Sequence, residues 1–431
     1  MMRTRFAPRP RARRAAARAA PAAARATAAA ASRRRRGVAA AAAAWRAAAR
    51  RLCTRRTRRA AWRSPTSGNL LYEYDPAYVD AKYEVFDLRV VHRRRRTGFE
   101  DSKEFPIRRN DLIAGRYQVM DFLGSAAFSQ AVQALDVATG GLVCLKIIKN
   151  NKDYFDQSLD EIKLLRYVNN HDPNDEHHIV RLYDFFYYKE HLFLVCELLR
   201  ANLYEFQRYQ RDNGDDPYFT LPRIQRIATQ VLQSLAFLHS LGLVHSDLKP
   251  ENILIKSYSR CEVKVIDLGS SCFVTDHLSS YVQSRSYRAP EVILGLRYDQ
   301  KIDIWSLGCI LSELATGYVL FQNDSLATLL ARLEGILGPL PSSMVSQGRY
   351  SHRFYTRSRQ LYEANKRTRR YELLLPKRTS LRHRVPQGDG PFLDFLAYLL
   401  TPDPGMRPSA EEALQHPWLA FPYPPADPVQ D

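Results

Sequence analysis

Two short polar loops, each directly after a short and largely apolar run, constrain this chain more than any other feature. Residues 245–252 read His-Ser-Asp-Leu-Lys-Pro-Glu-Asn and follow the run 241–244. Residues 267–269 read Asp-Leu-Gly, begin fifteen positions after Asn252 and follow the run 263–266. Short apolar runs bounded by polar residues are typical of buried strands that end in loops. The spacing therefore predicts one site that combines a carboxylate, an ammonium group, a carboxamide and a second carboxylate.

These residue types suit the transfer of a phosphoryl group from Mg·ATP, which depends on positioning and charge stabilisation more than on covalent chemistry. Asp247 would accept the proton of the substrate hydroxyl, and Lys249 would reach the transferring phosphate oxygens. Asn252 and Asp267 would bind Mg²⁺, which takes hard oxygen ligands and completes its shell with water and phosphates. The alternative is a solvated loop with chance charges, and the interval between the two loops argues against it.

The upstream part of the chain carries a matching set of nucleotide-binding residues. Residues 123–131 stand in the place of a Gly-rich phosphate loop, but only Gly124 is kept, and Ala126 and Ser129 stand where two further glycines are usual. The predicted nucleotide contacts in this loop are Leu123, Gly124, Ser125, Ala126, Ala127, Phe128, Ser129 and Ala131.

Lys146 and Glu161 complete the predicted catalytic set. Lys146 ends the strand-like run 143–146 and would pair with the α- and β-phosphates of ATP. Glu161 lies in the segment 158–168, where apolar residues recur at close to helical spacing, and is the natural partner of Lys146. An ordinary exposed helix carboxylate is the alternative for Glu161, because Asp160 is adjacent and could take its place.

Further motifs show that the chain resembles protein kinases. Ala289-Pro290-Glu291 would close an activation segment, residues 303–308 open an apolar helix that Gly317 would end, and Arg407 is placed to pair with Glu291. We expect these residues to be scaffold for the peptide-binding platform.

The runs 267–272 and 279–295 narrow the resemblance to the dual-specificity tyrosine-regulated kinases (DYRK). The phrases 147–152 and 321–325 look like the plant and green-algal branch of that family.

The resemblance covers residues 117–418 and implies an α+β, bilobal protein kinase fold with a small β-rich N-lobe and a large helical C-lobe. The implied segments are an Ala/Arg-rich tail at 1–64, an extension at 65–116, an N-lobe at 117–195, a hinge at 196–200, a C-lobe at 201–418 with a group-specific insert at about 345–390, and a Pro-rich tail at 419–431.

The resemblance also implies the adenine contacts. A buried strand at 192–195 would run into the hinge, where the backbone of Glu197 and Leu199 would hydrogen-bond adenine and Cys196 would be the gatekeeper. Leu123, Ala131 and Cys144 would form the apolar roof, although plain core packing is an alternative for these side chains.

The activation segment departs from the family pattern in two ways. Ser246 stands where most kinases have an Arg that grips a phosphorylated activation loop, and Ser279 replaces the first tyrosine of the family's Tyr-x-Tyr pair. The family pattern implies that Arg285 and Arg288 take a phosphate on Tyr281, the remaining tyrosine, through charge-assisted contacts. It also implies a preference for Pro after the target residue through Arg288.

Residues 65–116 contain one strand-like segment. Residues 83–92 alternate with Phe86, Leu88 and Val90 on one face, and Thr97-Gly98 suits a turn. The resemblance implies an extension that packs on the N-lobe and assists autophosphorylation, and a purely structural hairpin remains an equal alternative.

The basic charge of the chain is concentrated in its first 64 residues. The whole chain has a formal net charge of +19, and residues 1–64 hold twenty Arg and no Lys, Asp or Glu, so the remainder carries −1. This Ala/Arg-rich tail lacks the bulky apolar residues needed for a core. A transit peptide, a nucleic-acid or nuclear-import arm and a wrongly assigned start codon are three open interpretations.

The resemblance implies protein substrates with Ser or Thr sites, and we expect a monomeric enzyme in the cytoplasm or nucleus, with organellar targeting possible through residues 1–64. We expect no membrane span, because no run of about 18 apolar residues occurs. The six cysteines are scattered without metal-like spacing and suit a reducing compartment.

Two other function classes are open. A pseudokinase that only binds is favoured by the missing loop glycines, whereas the presence of Lys146, Glu161, Asp247, Asn252 and Asp267 favours an active enzyme. An RNA-associated scaffold would act through the Arg-rich tail.

Overall fold

The smaller part of the molecule is a single seven-stranded sheet. The computed structural model describes residues 85–92, 94–95, 103–276, 282–322, 324–365, 368 and 370–424. Contacts divide the chain into two units, 1–85 and 86–431, and every element below belongs to the second. In chain order its strands are β1 (Arg89–Val91), β2 (Leu112–Ile113), β3 (Tyr117–Ser125), β4 (Ser129–Asp136), β5 (Leu142–Ile148), β6 (Leu182–Tyr188) and β7 (His191–Glu197). Their order across the sheet is β1-β6-β7-β5-β4-β3-β2.

One face of this sheet packs into an apolar core and the other faces helix α1 (Lys152–His171), as strand β5 shows. Val143, Leu145 and Ile147 are buried in one apolar cluster, because side chains alternate along a strand. Cys144 and Lys146 point to the opposite face, toward helix α1. Because of this alternation, Lys146 faces the cleft while its neighbours Leu145 and Ile147 remain in the apolar core.

The segment before residue 117 joins this sheet through β1, and among the described residues β1 pairs with β6. Strand β1 is three residues long and pairs in parallel with β6 at the sheet edge. Phe86 contacts Phe185 edge-to-face, whereas Val90 is 58% exposed, so the predicted alternation is wrong at Val90. The reason is the edge position, where Arg89 pairs with Asp184 and the outer face is open to solvent. Thr97 and Gly98 lie outside the described residues.

The larger lobe is helical, and its long helices surround one apolar cluster. Its helices are α2 (Leu203–Asn213), α3 (Leu221–Ser240), α4 (Pro290–Leu294), α5 (Lys301–Thr316), α6 (Leu326–Leu337), α7 (Ser342–Gln347), α8 (Leu381–Arg384), α9 (Gly390–Leu399) and α10 (Ala410–Leu414). The expected α+β fold, with a small β-rich lobe and a large helical lobe, is confirmed.

Two helices carry most of this core. The inner face of α3 is fully buried, as its apolar spacing predicts, at Ile224, Ile227, Val231, Leu235 and Leu238. Helix α5 is buried on every side and ends at Gly317, which has a φ of +78° that favours glycine.

Short two-stranded sheets carry the loops between the helices. They pair β8 (Leu243–Val244) with β11 (Cys272–Phe273), β9 (Ile253–Ser257) with β10 (Glu262–Val265), and β12 (Tyr362–Ala364) with β13 (Tyr371–Leu373). Strand β8 ends directly before the segment 245–252, and β10 ends shortly before the segment 267–269. Both loops therefore follow short buried strands, as predicted. The third is a hairpin within the predicted insert.

The described cysteines, Cys144, Cys196, Cys261, Cys272 and Cys309, are all free thiols. None of the described helices is both long enough and apolar enough to span a membrane.

Glu291 and Arg407 form a fully buried ion pair that joins helix α4 to the segment before α10. Arg407 Nη1 lies 2.6 Å from Glu291 Oε1 and Nη2 lies 2.9 Å from Oε2. Both side chains are 0% exposed. A buried bidentate pair holds the two segments in one geometry, because either charge left alone would be unsolvated.

Arg407→Leu should therefore lower the free energy of unfolding by about 3–5 kcal/mol, since it leaves the Glu291 carboxylate buried and unpaired. Urea unfolding of the purified chain measures this loss. The matched control is Arg208→Leu, which removes an exposed pair with Asp212 and should cost no more than about 0.5 kcal/mol. Equal losses in the two variants would contradict the assigned role.

Candidate active site

The buried carboxylate of Asp303, in the first turn of α5, fixes the loop 245–252. Its Oδ2 accepts the His245 backbone N–H at 2.9 Å, and its Oδ1 accepts the Ser246 N–H at 2.9 Å. His239 contacts the same Oδ2 at 3.1 Å through Nε2. Ser246 has a φ of +61°, an unfavourable left-handed conformation for a non-glycine residue. The hydrogen bonds to Asp303 hold the loop in this shape.

Ser246, the residue that departs from the usual Arg, is buried and connects two other segments. Its hydroxyl donates to the carbonyl of Ser270, just after the Asp-Leu-Gly motif. Its own carbonyl accepts the Gln283 N–H at 2.9 Å. Ser246 therefore ties the loop 245–252 to the activation segment at Ser270 through its side chain and at Gln283 through its backbone carbonyl.

Asp247 and Lys249 converge with a third residue, Ser284. Lys249 Nζ lies 2.6 Å from Asp247 Oδ2. The backbone N–H and the hydroxyl of Ser284 each donate to Asp247 Oδ1 at 2.9 Å, and Lys249 Nζ lies 3.5 Å from the Ser284 hydroxyl. Ser284 has no role among the residues predicted from the sequence, although it lies in the run 279–295 that carries the family resemblance.

Lys146 lies between two carboxylates. Its Nζ is 2.7 Å from Glu161 Oε1 and 3.5 Å from Asp267 Oδ1. Burial alone would lower the pKa of Lys146, but the charges of Glu161 and Asp267 outweigh burial and raise it, so the ammonium form persists at neutral pH. Asp160 instead pairs with Lys163 on the exposed side of α1, and the structure thus pairs Lys146 with Glu161.

Asn252 and Asp267 supply the carboxamide and carboxylate oxygens that a hard cation prefers. Asn252 Nδ2 donates to the Asp247 carbonyl at 2.9 Å, which turns its carboxamide oxygen away from that contact. Burial would raise the pKa of Asp267, but Lys146, His245 and Lys249 lower it, so its carboxylate is ionised. These two donors fit Mg²⁺, which needs few protein ligands beside water and phosphate.

The predicted phosphate loop is the hairpin between β3 and β4. Leu123, Gly124 and Ser125 end β3, residues 126–128 form the turn, and Ser129 and Ala131 lie in β4. Neither Ala126 nor Ser129 has a positive φ, so the missing glycines cause no backbone strain here. The ring of Phe128 lies 5.2 Å from Lys146 Nζ and covers the lysine from the loop side.

The hinge residues follow directly from β7. Cys196 is paired with Cys144 across the β5–β7 ladder, so both thiols face the cleft. No backbone partner of the Leu199 N–H occurs within the described ranges, which leaves this donor open to an acceptor such as adenine. The Glu197 N–H donates to the Arg181 carbonyl at 3.1 Å.

A buried lysine that the sequence analysis missed holds the hinge from behind. Lys264, in β10, is 1% exposed and lies 2.6 Å from Glu197 Oε1 and 2.6 Å from Asp175 Oδ1. Its place three positions before Asp267, between the apolar residues Val263 and Val265, was the available signal. The triad joins the hinge, the loop after α1 and the strand that leads to the Asp-Leu-Gly motif.

Of the predicted activation-loop residues, Tyr281 lies outside the described residues. Arg285 is exposed, whereas Arg288 is buried and donates from Nε to the Val282 carbonyl at 2.9 Å and from Nη2 to the Gln283 carbonyl at 2.7 Å. Arg285 and Arg288 line a cleft of about 570 Å³ together with Asp247. The structure thus brings both arginines to the same cleft as the catalytic loop.

A buried carboxylate lies under the activation segment. Glu313 Oε2 accepts the hydroxyl of Tyr287 at 2.7 Å. Burial and the charge of Glu251 raise the pKa of Glu313 to about 7, although the Tyr287 hydrogen bond opposes the change. Glu251 Oε2 is itself buried without a hydrogen-bond partner in the described part of the chain. Two carboxyl groups therefore share one poorly solvated region beside the catalytic loop.

Residues 117–419 match the family model described as protein kinase domain. The chain is 39% identical over 325 residues to the probable serine/threonine-protein kinase dyrk2 of Dictyostelium discoideum, covering 74% of this chain and 34% of that protein.

Two further relatives are dual specificity tyrosine-phosphorylation-regulated kinases. The chain is 37% identical to kinase 2 of Drosophila melanogaster, covering 74% of this chain and 44% of that protein. It is also 37% identical to kinase 4 of Homo sapiens, covering 75% of this chain and 61% of that protein. The chain thus spans less than two thirds of the length of each of these relatives.

The raised pKa of Glu313 predicts a specific pH dependence of stability. The pKa of Glu313 is about 7 in the folded protein, whereas its ordinary value is 4.5. The protonated carboxyl group therefore makes its full contribution to stability below pH 4.5, and this contribution is lost as the pH rises through 7. Relative to the wild type, Glu313→Gln should therefore gain up to about 3 kcal/mol between pH 5 and pH 8.

Urea unfolding of both proteins across this pH range measures the difference. The control Glu334→Gln replaces a half-buried carboxyl group that makes the same kind of bond, since Glu334 accepts the Tyr355 hydroxyl at 2.7 Å. Parallel stability curves for wild type and Glu313→Gln would show that Glu313 does not titrate in this range.

Proposed function

The chain belongs to the protein kinase family, and from this premise we propose that it is an active, Mg·ATP-dependent serine/threonine kinase of the DYRK type that phosphorylates its own Tyr281. The sequence phrases 147–152 and 321–325 support a place in the plant and green-algal branch. One observation carries the proposal of activity: Lys146 lies within ion-pair distance of both Glu161 and Asp267, while Asp247 lies beside Lys249.

The proposed reaction uses the side chains in the positions described above. Asp247 accepts the proton of a substrate Ser or Thr hydroxyl. The hydroxyl oxygen attacks the γ-phosphorus of ATP, and the bond between that phosphorus and the β,γ-bridging oxygen breaks to release ADP. Lys249 stabilises the charge on the transferring group, and Lys146 holds the α- and β-phosphates. Asn252 and Asp267 would hold Mg²⁺, which supplies positive charge to the phosphate oxygens when it is bound.

The nucleotide would lie between the two lobes. The backbone of Glu197 and Leu199 would bind adenine, Cys144 and Cys196 would form the wall beside it, and the loop 123–131 would cover the phosphates. Retained Gly124 and the unstrained turn after it support this role for the loop. A pseudokinase is disfavoured, because a protein without phosphotransfer activity does not need all five of the charged and polar groups of the site. These groups are Lys146, Glu161, Asp247, Asn252 and Asp267.

Activation would depend on a phosphate on Tyr281. Ser246 offers no guanidinium to a loop phosphate, whereas Arg285 is exposed and pairs with no carboxylate among the described residues. Arg288 fixes the carbonyls of Val282 and Gln283, and with them the path of the chain directly after Tyr281. Arg285 and Arg288 would grip the phosphate and set the peptide platform, with Pro preferred after the target residue.

The remaining proposals concern partners and place. We propose protein substrates with Ser or Thr sites, a monomeric enzyme, and a cytoplasmic or nuclear location. Nucleic acid would bind only through the twenty arginines of residues 1–64. Deletion of residues 1–64 tests this last point, since an RNA-associated scaffold would lose its RNA while phosphotransfer continued.

Asp247→Asn should lower the rate of phosphotransfer by about 10²-fold or more and leave ATP binding intact. The reason is that the lost carboxylate acts on the substrate hydroxyl and not on the nucleotide. Phosphate incorporation into a Ser/Pro peptide and calorimetric titration with Mg·ATP measure the two properties. Asp267→Asn is the contrasting variant and should weaken Mg·ATP binding as well.

Turnover of Asp247→Asn within about tenfold of wild type would exclude Asp247 as the base. Unchanged nucleotide affinity in Asp267→Asn would make the metal assignment wrong.

Wild-type protein made in a bacterial host without tyrosine kinases should carry phosphate on Tyr281, because the nascent kinase itself adds it. Tyr281→Phe should yield soluble protein with reduced activity, since Arg285 and Arg288 then have no phosphate to bind. Intact-mass and peptide mass spectrometry locate the phosphate. Unmodified Tyr281 in fully active wild type would refute the maturation model, and phosphate on Tyr281 in Asp247→Asn would identify another enzyme as its source.

A further inference from the structure

The hairpin of β12 and β13 presents an apolar surface to solvent. We define the hairpin patch as Tyr362, Tyr371, Leu373 and Leu375. Tyr371 is 76%, Leu373 56% and Leu375 86% exposed. Tyr362 and Tyr371 meet edge-to-face with ring centroids 5.5 Å apart, so the aromatic part of the patch is ordered by its own contacts. Contiguous exposed apolar surface of this kind marks an interaction site more often than chance.

The residues that directly flank the two strands attach the hairpin to the C-lobe core, so the apolar residues of the patch are not needed for that contact. Leu361 is 2% exposed, and Leu374 packs against the C-lobe core. Since side chains alternate along a strand, Tyr371 and Leu373 share one face of β13 and Glu372 lies on the other. All three residues of β13 are exposed, so Tyr371 and Leu373 leave apolar surface open to solvent.

The outer edge of β13 also has backbone groups available. The Leu374 N–H donates to the Leu361 carbonyl at 2.8 Å, and the Asn365 N–H donates to the Arg370 carbonyl at 2.8 Å. Hydrogen-bonded pairs alternate along an antiparallel ladder, so the backbone of Tyr371 and Leu373 faces outward. Within the described ranges β13 pairs with β12 alone. The edge can therefore accept another strand.

Strong positive charge surrounds the patch. Residues 345–390 contain twelve Arg and Lys but only three acidic residues, a net charge of +9. Because residues 65–431 together carry −1, the rest of that part carries −10. Arg370, Lys377 and Arg378 flank the patch, are exposed, and make no ion pair with another described residue. Such segregation of charge serves recognition of an opposite charge rather than stability.

We propose that the hairpin patch is a docking site for an extended acidic segment of a partner protein, which adds to the outer edge of β13 as a further strand. Backbone groups of Tyr371 and Leu373 would hydrogen-bond the segment. Apolar side chains at alternate positions of the segment would contact Leu373 and Leu375, and its Asp or Glu residues would meet Arg370, Lys377 and Arg378. The site is distinct from the catalytic cleft and does not rest on the proposed catalytic roles.

Other occupants fit the surface less well. A second copy of the chain would bring two segments of net charge +9 together, which repel each other. A nucleic acid would satisfy the charge, but it has no extended backbone N–H and C=O ladder for the open edge and little use for Leu373 and Leu375. The combination of an open strand edge, aliphatic side chains and positive flanks therefore favours an acidic peptide.

The test uses the full chain and a fluorescein-labelled synthetic peptide in which Glu and Leu alternate. Fluorescence anisotropy should show saturable binding that weakens with ionic strength. Replacement of every Glu by Lys should abolish binding. A peptide with a central Pro, which keeps the charge but blocks the strand hydrogen bonds, should bind at least about tenfold more weakly.

Two hairpin variants and two controls connect the binding to the patch. Leu373→Ser with Leu375→Ser, and separately Lys377→Glu with Arg378→Glu, should each weaken binding by about tenfold or more. Met406→Ser and Arg208→Glu change exposed residues elsewhere and should leave binding unchanged. Unchanged melting temperatures would show that the hairpin variants still fold.

Hydrogen exchange of the full chain gives an independent measurement. Peptide binding should slow exchange of the Tyr371 and Leu373 amides, the two that face the open edge. Binding that survives both hairpin variants would overturn the proposal, as would binding without protection at β13. Equal or tighter binding of a single-stranded RNA, lost in the same variants, would overturn it in favour of a nucleic-acid site.

Discussion

The hydrogen bonds from the backbone of His245 and Ser246 to the buried carboxylate of Asp303 are the interaction on which the site depends. Asp303 belongs to α5, which is buried on every side and packs closely enough that a Cβ at Gly308 would meet the Leu400 side chain at 2.8 Å. A rigid helix thus sets the position of a strained loop. Because that loop carries Asp247, Lys249 and Asn252, the geometry of three polar groups follows from one helix in the apolar core.

The second half of the site is assembled by charge across the two lobes. Lys146 comes from the sheet, Glu161 from α1 and Asp267 from the loop after β10, and the three meet within 3.5 Å of the lysine. Lys264 makes a similar connection behind the hinge with Asp175 and Glu197. Each cluster places a lysine with two carboxylates and includes at least one residue from the C-lobe, Asp267 in the first and Lys264 in the second. These ion pairs couple the lobes at the place where a nucleotide would bind.

The departures from the family pattern are accommodated by local contacts. Ala126 and Ser129 adopt ordinary backbone conformations, so the loop does not need the glycines that they replace. Ser246 uses its hydroxyl to hold Ser270, and the charge that an Arg would supply there is absent. The insert shows the opposite trend, because its positive charge and exposed leucines exceed what folding requires. Its surface is therefore better explained by recognition than by stability.

The sequence by itself determined the elements and the polar groups of the site. Alternation in β5 placed Lys146 on the cleft side, helical spacing placed Glu161, and two loops of fixed length carried Asp247 and Asp267, because these patterns depend on local geometry. Only the tertiary structure decided that Ser284 joins Asp247, that Lys264 meets Asp175 from 89 positions away, and that Val90 is exposed. Such outcomes depend on which segments pack together, and residue periodicity carries no information about contacts between distant segments.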